Sequence, residues 1–315
     1  CTRGCAFCFA KHGPWSDDYT PRPLELQEVR DLLSLEGSRQ VEEWGLLGGE
    51  PLRHPQLVDV IKMLWAEGFG VKIFTSGTAP LPDKLKDLEQ DGTLRFILNA
   101  GRPNSYNDEE RACLEAFLER FHAVTSVSYT IVDPAADIDW LVSFVCEHQL
   151  APHLRLGVAV PSIEGDNAHV APSDYREVGQ HVLKLAQLAR DKGQLVGLDC
   201  GFTACMFSSE QIGQLAMLGT RARFVCGAAM DIGPGLECWH CFPMSSMPRL
   251  KLSNELSVFD AERQFMQTAR DIRERCGPGV FVRCKDCRYR IREQCSGGCL
   301  GHLDLDRNTA PSKKD

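Results

Sequence analysis

The sequence predicts an α/β protein, with a parallel sheet covered by helices and a cysteine-rich α+β extension after it. Three observations lead there. Between residues 20 and 200, strand-like and helix-like stretches alternate in units of about 28 residues, which implies parallel strands joined by helical crossovers. The helical stretches are amphipathic, so each has one face to bury. The 15 cysteines are unevenly spread: Cys1, Cys5 and Cys8 open the chain, ten more fall between residues 200 and 299, and only Cys113 and Cys146 lie between.

Each element has a local cause. Residues 26–37 place apolar side chains three and four apart, a helical spacing. Residues 41–48 (VEEWGLLG) read as a buried strand, and 55–68 as an amphipathic helix opened by Pro55 and closed by Gly68. Strands follow at 70–77, 94–100, 123–132 and 153–162. The helices between them are a short one at 82–92, one at 107–121 with an Asn or Asp cap, and one at 136–150; a long helix at 173–193 follows the last strand. Cys113 and Cys146 fall inside helical patterns, where cysteine is most simply a small buried apolar residue. In any sheet of this kind ligands collect at the C-terminal strand ends. That directs attention to 48–51, 75–78, 99–102 and the neighbourhood of Pro161 and Ser162. Such a sheet also needs a strand ahead of its first loop, so a segment preceding Cys1 is expected.

Composition narrows the function classes. With 35 Lys+Arg against 43 Asp+Glu the net charge is −8, and 43% of the 315 residues are hydrophobic, so the chain is globular and acidic. Nucleic acid is disfavoured as a partner. No apolar run approaches the roughly 20 residues of a membrane span. For a chain of this length a disulfide scaffold is a poor account of the cysteines, and metal or cluster binding a better one.

Cys1, Cys5 and Cys8 have the spacing C-x3-C-x2-C, with Gly4 letting the loop wrap. Structural zinc wants four protein ligands. A [4Fe–4S] cluster also takes four, one per iron, so three cysteines leave one iron open. One βα unit later comes Gly48-Gly49-Glu50-Pro51 at a strand end, where two glycines admit a ligand to the backbone and a carboxylate can meet an ammonium. Thr75-Ser76-Gly77-Thr78 ends the next strand.

These motifs resemble the radical S-adenosylmethionine (SAM) superfamily: the cysteine loop with Phe7 before its last cysteine, GGEP, and a T-N-G-T stretch with Ser76 in the place of Asn. The resemblance implies a partial (β/α)6 barrel over 1–195, a cluster held by Cys1, Cys5 and Cys8, and SAM held by Gly48, Gly49, Glu50 and Pro51. It implies further SAM contacts from polar strand residues, among them Ser76, Asn99, Ser126, Ser128, Thr130 and Arg155, each of which could instead be a solvated or capping residue.

The C-terminal third contains Cys226-x14-Cys241 and Cys284-x2-Cys287-x7-Cys295-x3-Cys299. This resembles the SPASM extension, which carries auxiliary iron–sulfur clusters, and assigns it residues 196–305. Three features depart from that pattern: Gly235 precedes Cys241 by x5, the middle gap is x7, and no cysteine follows Cys299. The resemblance gives one auxiliary cluster to Cys226, Cys241 and Cys299 with Cys205 or Cys200. It gives a second to Cys284, Cys287 and Cys295, with Cys238, Cys276 or His302 for its fourth place. A zinc site of Cys284, Cys287, Cys295 and Cys299 is the alternative. Residues 283–292 are basic and could attract an acidic peptide or tune a cluster, or be a solvated face. The helical pattern at 258–276 is expected between the halves of the extension, and 306–315 reads as a disordered tail.

The function implied is reductive cleavage of SAM and hydrogen abstraction from a peptide or protein, leading to side-chain oxidation, a thioether or a carbon–carbon crosslink. A reductant such as flavodoxin or ferredoxin, a cytoplasmic location and no membrane partner go with it. The runners-up are an oxidase of a protein Cys or Ser side chain or of a small molecule and, in another class, a non-catalytic electron-transfer protein.

Overall fold

The computed structural model describes residues 1–303 apart from 2, 10–21, 89–92, 164–165, 228–229 and 246. The tail expected from residue 306 and the end of the 82–92 helix lie outside these residues.

Seven parallel strands form one curled sheet, a half-barrel, in chain order: β1 (Glu43–Leu46), β2 (Gly70–Thr75), β3 (Leu94–Asn99), β4 (Thr125–Ile131), β5 (His153–Val158), β6 (Leu195–Leu198) and β7 (Arg221–Ala222). The crossovers carry α1 (Leu26–Ser34) before β1, then α2 (Leu57–Ala66), the short α3 (Asp83–Lys86), α4 (Asp108–Phe121), α5 (Trp140–Glu147), α6 (Tyr175–Asp191) and α7 (Ser209–Met217). The first five strands stand where the sequence predicts them. β6 and β7 carry the sheet past residue 195, the boundary expected for the barrel. They have four and two residues, too few to show a strand's alternation.

Period-two alternation sorts each strand into two faces. One face of β2 to β5 is buried under the helices. Phe96 of β3 meets Phe117 and Phe121 of α4, with ring centroids 5.2 and 4.7 Å away, and all three are fully buried. Each such ring stabilises the fold by about 1.5–3 kcal/mol through burial. The start of α4 is set by a capping box: Asn107 accepts from the Glu110 amide at 2.8 Å, and Glu110 accepts from the Asn107 amide at 3.1 Å. The other face lines the concave side. Near the strand starts Glu43 pairs there with Lys72 and Arg95.

Cys146 is exposed rather than buried, because Leu141, Val142, Phe144 and Val145 already make up the covered face of α5. Its Sγ is 3.2 Å from Gln194 Nε2. Cys113 is half-buried.

The extension has a small antiparallel sheet, β8 (Asp231–Ile232), β9 (Glu237–Trp239) and β10 (Leu250–Lys251), then the long α8 (Val258–Cys276) and the short α9 (Arg288–Ile291). α8 does more than join the halves of the extension. Val258, Ala261 and Phe265 pack with Leu32 and Leu35 next to β1, and Ile272 packs with Ile163, Met244, Leu300 and Leu303. Both apolar groups straddle the seam, and Val280 and Phe281 pack on the barrel's own core, so the extension is fastened to the barrel at several places.

Candidate functional site

The N-terminal cysteine loop lies across the C-terminal ends of three strands. Its turn is closed by the Cys8 amide donating to the Cys5 carbonyl at 3.1 Å. After β1, Gly49 backs directly onto Cys1: a Cβ there would come within 3.1 Å of the Cys1 nitrogen and 3.2 Å of its Cβ. After β3, Tyr106 carries the Arg3 guanidinium over its ring at 4.6 Å, and its hydroxyl accepts from the Gly101 amide. After β5, the Ala168 amide donates to the Ala6 carbonyl at 2.9 Å. The adjacent Asn167, 2% exposed, accepts from the Ser162 amide and donates to the Val160 carbonyl. Cys1 is thereby brought to the GGEP turn, and the Phe7 carbonyl to the Asn167 amide group after β5.

Glu50 is 7% exposed. Its Oε1 accepts from the Thr75 hydroxyl at 2.6 Å and the Leu52 amide at 3.2 Å; Oε2 accepts from the Ser76 hydroxyl at 2.6 Å and amide at 3.0 Å. A carboxylate has about four lone-pair positions, and four donors fill them. Glu50 is thus a clasp between the ends of β1 and β2. Pro51 starts the turn that follows. Gly77 completes the TSGT stretch at φ +68°, where a side chain would be strained and would press on Leu98 and Leu114 at 3.0 Å.

The polar strand residues share the concave face. Asn99 pairs in register with Ser128, Ser128 with Arg155, and Arg155 with Gly197, one row across four strands. Ser126 and Thr130 lie two residues either side of Ser128, on the same face. Arg155 is held by an ion pair to Asp199 at 2.6 Å and lies over the Phe74 ring. Asp199 and Asn167 escaped the sequence reading. The first follows a strand too short to recognise, and the second sits in a loop with no motif.

The C-terminal cysteines fall into two neighbourhoods. Burial pushes the Cys241 thiol up, and then Cys299, Cys226 and Cys200 add to it. Burial likewise pushes the Cys284 thiol up, followed by Cys205, Cys295 and Cys287. Cys238 lies elsewhere, at 0% exposure in the apolar group with Leu32 and Phe265. Cys276 packs beside Ile272 and Leu300. His302 is 3.0 Å from the Tyr175 hydroxyl, and burial holds its imidazole down at about 4.

Among the described residues no three His, Cys, Asp or Glu side chains stand close enough to hold one metal ion. A mononuclear tetrahedral site needs its sulfurs all about 2.3 Å from one centre, whereas a [4Fe–4S] cluster takes one thiolate at each of four separated corners. Residues 1–8 hold three thiols and no other His, Cys, Asp or Glu, a donor set that fits a cluster keeping one iron for a non-protein ligand.

Residues 1–133 match the model of the Radical SAM superfamily. Over 100 residues, 31% of this chain, the sequence is 32% identical to GTP 3',8-cyclase of Synechococcus elongatus, and the chain spans only 30% of that relative's length. The fold is similar to that of anSMEcpe with bound AdoMet, at a TM-score of 0.63 and 12% identity, covering 97% of this chain and 88% of that one. It is also similar to Streptococcus suis SuiB bound to S-adenosylmethionine, at 0.62 and 14%, covering 94% and 69%. SuiB bound to its precursor peptide SuiA matches at 0.60 and 13%, covering 95% and 69%. At such identities these likenesses establish the fold.

Proposed function

We propose that this chain, a member of the radical SAM superfamily by its first 133 residues, reductively cleaves SAM and abstracts hydrogen from a peptide or protein substrate. The observation that carries the reading is the docking of Cys1, first of the three cysteines of the loop, against Gly49 of the GGEP turn. When bound, a [4Fe–4S] cluster supplies one electron to the sulfonium of SAM, giving methionine and a 5′-deoxyadenosyl radical. Cys1, Cys5 and Cys8 would hold the cluster.

The rest falls to the chain's own side chains and backbone. With its carboxylate filled by four donors, Glu50 acts on the SAM amino group indirectly, by fixing the turn whose backbone carbonyls accept from an ammonium. The row of Asn99, Ser128 and Arg155 supplies a cation and two neutral hydrogen-bonding groups, suited to a carboxylate and ribose hydroxyls. Asp199 keeps the Arg155 guanidinium in place, and Phe74 beneath it keeps water from one side.

A peptide substrate is favoured by the likeness, over nearly the whole chain, to a protein seen with its precursor peptide. This is an analogy of fold. The match to GTP 3',8-cyclase supports a second reading, a small-molecule substrate. An electron-transfer protein needs no SAM, so a GGEP strand end that admits a ligand to its backbone disfavours that reading. The basic stretch Arg283, Lys285, Arg288, Arg290 and Arg292 suits an acidic reductant such as flavodoxin or ferredoxin. A cytoplasmic, reducing setting goes with this chemistry; among the described residues no helix is long and apolar enough to cross a membrane.

The test is anaerobic reconstitution with iron and sulfide, then dithionite and SAM. 5′-Deoxyadenosine is expected from the parent protein, and none above background from Cys8→Ala, which should retain its auxiliary iron. No 5′-deoxyadenosine from the reconstituted parent would sink the proposal.

A further inference from the structure

We infer that Cys205 is the fourth ligand of a second auxiliary iron–sulfur group with Cys284, Cys287 and Cys295, and not a ligand of the group that Cys226, Cys241 and Cys299 would hold. The inference rests on the reading of this chain as an iron–sulfur protein, and goes beyond it by assigning Cys205 to one group.

A cavity of about 220 Å³ is lined by Cys205, Cys284, Cys287 and Cys295 together. That is several times the roughly 30 Å³ share of one water in the liquid, so it has room for more than a single ion. Its walls are built closely. A Cβ on Gly279 would fall 2.8 Å from Cys284 Sγ, the Gly297 amide donates to Cys295 Sγ at 3.3 Å, and Thr203 Oγ1 lies 3.2 Å from Cys205 Sγ. Arg283 and Arg290 complete the lining, cations suited to a group of four thiolates.

The position of Cys205 is rigid. It lies in a tight helical turn, Ala204–Met206, flanked by buried Thr203 and Met206. That turn presses on α6, where a Cβ on Gly179 would come within 2.2 Å of the Met206 carbonyl oxygen. The sequence left three other groups for the fourth place, and each is engaged elsewhere. Cys238 is sealed in the apolar group beside α1, Cys276 packs against the Leu300 group, and His302 faces Tyr175. On assembly each thiol would lose its proton to solvent as its sulfur binds iron.

The test uses the full chain with Cys1, Cys5 and Cys8 all changed to Ala, reconstituted anaerobically, so that only auxiliary groups contribute. Iron, sulfide and Mössbauer and EPR spectra are recorded. The starting protein should bind about eight irons. Cys205→Ala should lower this to about four, and Cys205→Ala with Cys284→Ala should lose no more. Cys241→Ala with Cys284→Ala should lose nearly all of it. Cys205→Asp, which keeps an anionic ligand, should retain the second group with an altered spectrum, separating ligation from a folding defect. Cys276→Ala and Cys238→Ala should leave the spectra unchanged. The inference is overturned if Cys205→Ala leaves the second group's signal intact, if it removes the first group's instead, or if the starting protein binds no iron. None of these readouts depends on SAM cleavage, so a failure to form 5′-deoxyadenosine remains a separate result.

Discussion

In the half-barrel, Phe96, Phe117 and Phe121 are fully buried between β3 and α4, within one apolar group that runs from α1 to α7. Beyond residue 225 the chain has two short apolar groups and a three-stranded sheet whose strands have two or three residues. The barrel can therefore be held by burial alone. The extension packs less apolar surface for its length, so on the proposed reading ligated groups would help to hold its loops, as metals do in small domains. Its cysteines would then be structural parts, whereas Cys1, Cys5 and Cys8 sit on a loop that a finished scaffold supports.

Stripping iron with a chelator tests this most severely. Amide hydrogen exchange in the 280–303 segment should accelerate by about a hundredfold or more, while β2 to β5 stay protected. If both regions open together, or neither does, the contrast fails. Phe117→Ala is the reverse probe. It should lower stability against urea by about 3–5 kcal/mol, yet leave auxiliary iron per folded chain unchanged. A loss of that iron would show that the extension relies on the barrel core.

The smallest effect concerns Asp231 in β8. Burial raises its carboxyl to about 7. Its unfolded value lies near 3.9, so between about pH 4 and pH 7 the unfolded chain gives up a proton that the folded chain keeps. Stability contributed by the neutral acid is thus full below about pH 4 and is lost as pH rises to about 7. Asp231→Asn should remove this slope and raise stability at pH 8 by about 1–3 kcal/mol, with little change at pH 4, measured by urea unfolding at both. An unchanged slope would show that the small sheet does not confine this carboxyl.

The legible features were those with short-range signatures. Alternation of strand and helix marked five strands, because period two and period 3.6 are visible within a dozen residues. The Asn or Asp cap of the 107–121 helix and the three-cysteine loop were visible in the same way, whereas the part Glu110 plays in that cap was not read. Less visible was Cys146, whose exposure depends on how far the apolar face of α5 is already filled. The role of Glu50 was half visible. GGEP marks a ligand-admitting strand end, but Thr75 and Ser76, about 25 residues on, reach its carboxylate only because parallel pairing sets the ends of β1 and β2 side by side.

The same division runs through the whole molecule. By itself the sequence determined the parallel α/β scaffold, the C-x3-C-x2-C spacing of the cysteine loop, and the GGEP turn after the first strand, since each depends on residue type and local spacing. Tertiary structure alone decided that Asn99, Ser128 and Arg155 form one row, and that Cys205 lines one cavity with Cys284, Cys287 and Cys295. Those relations are set by register and by the turn that packs on Gly179, which bring together residues far apart in the chain.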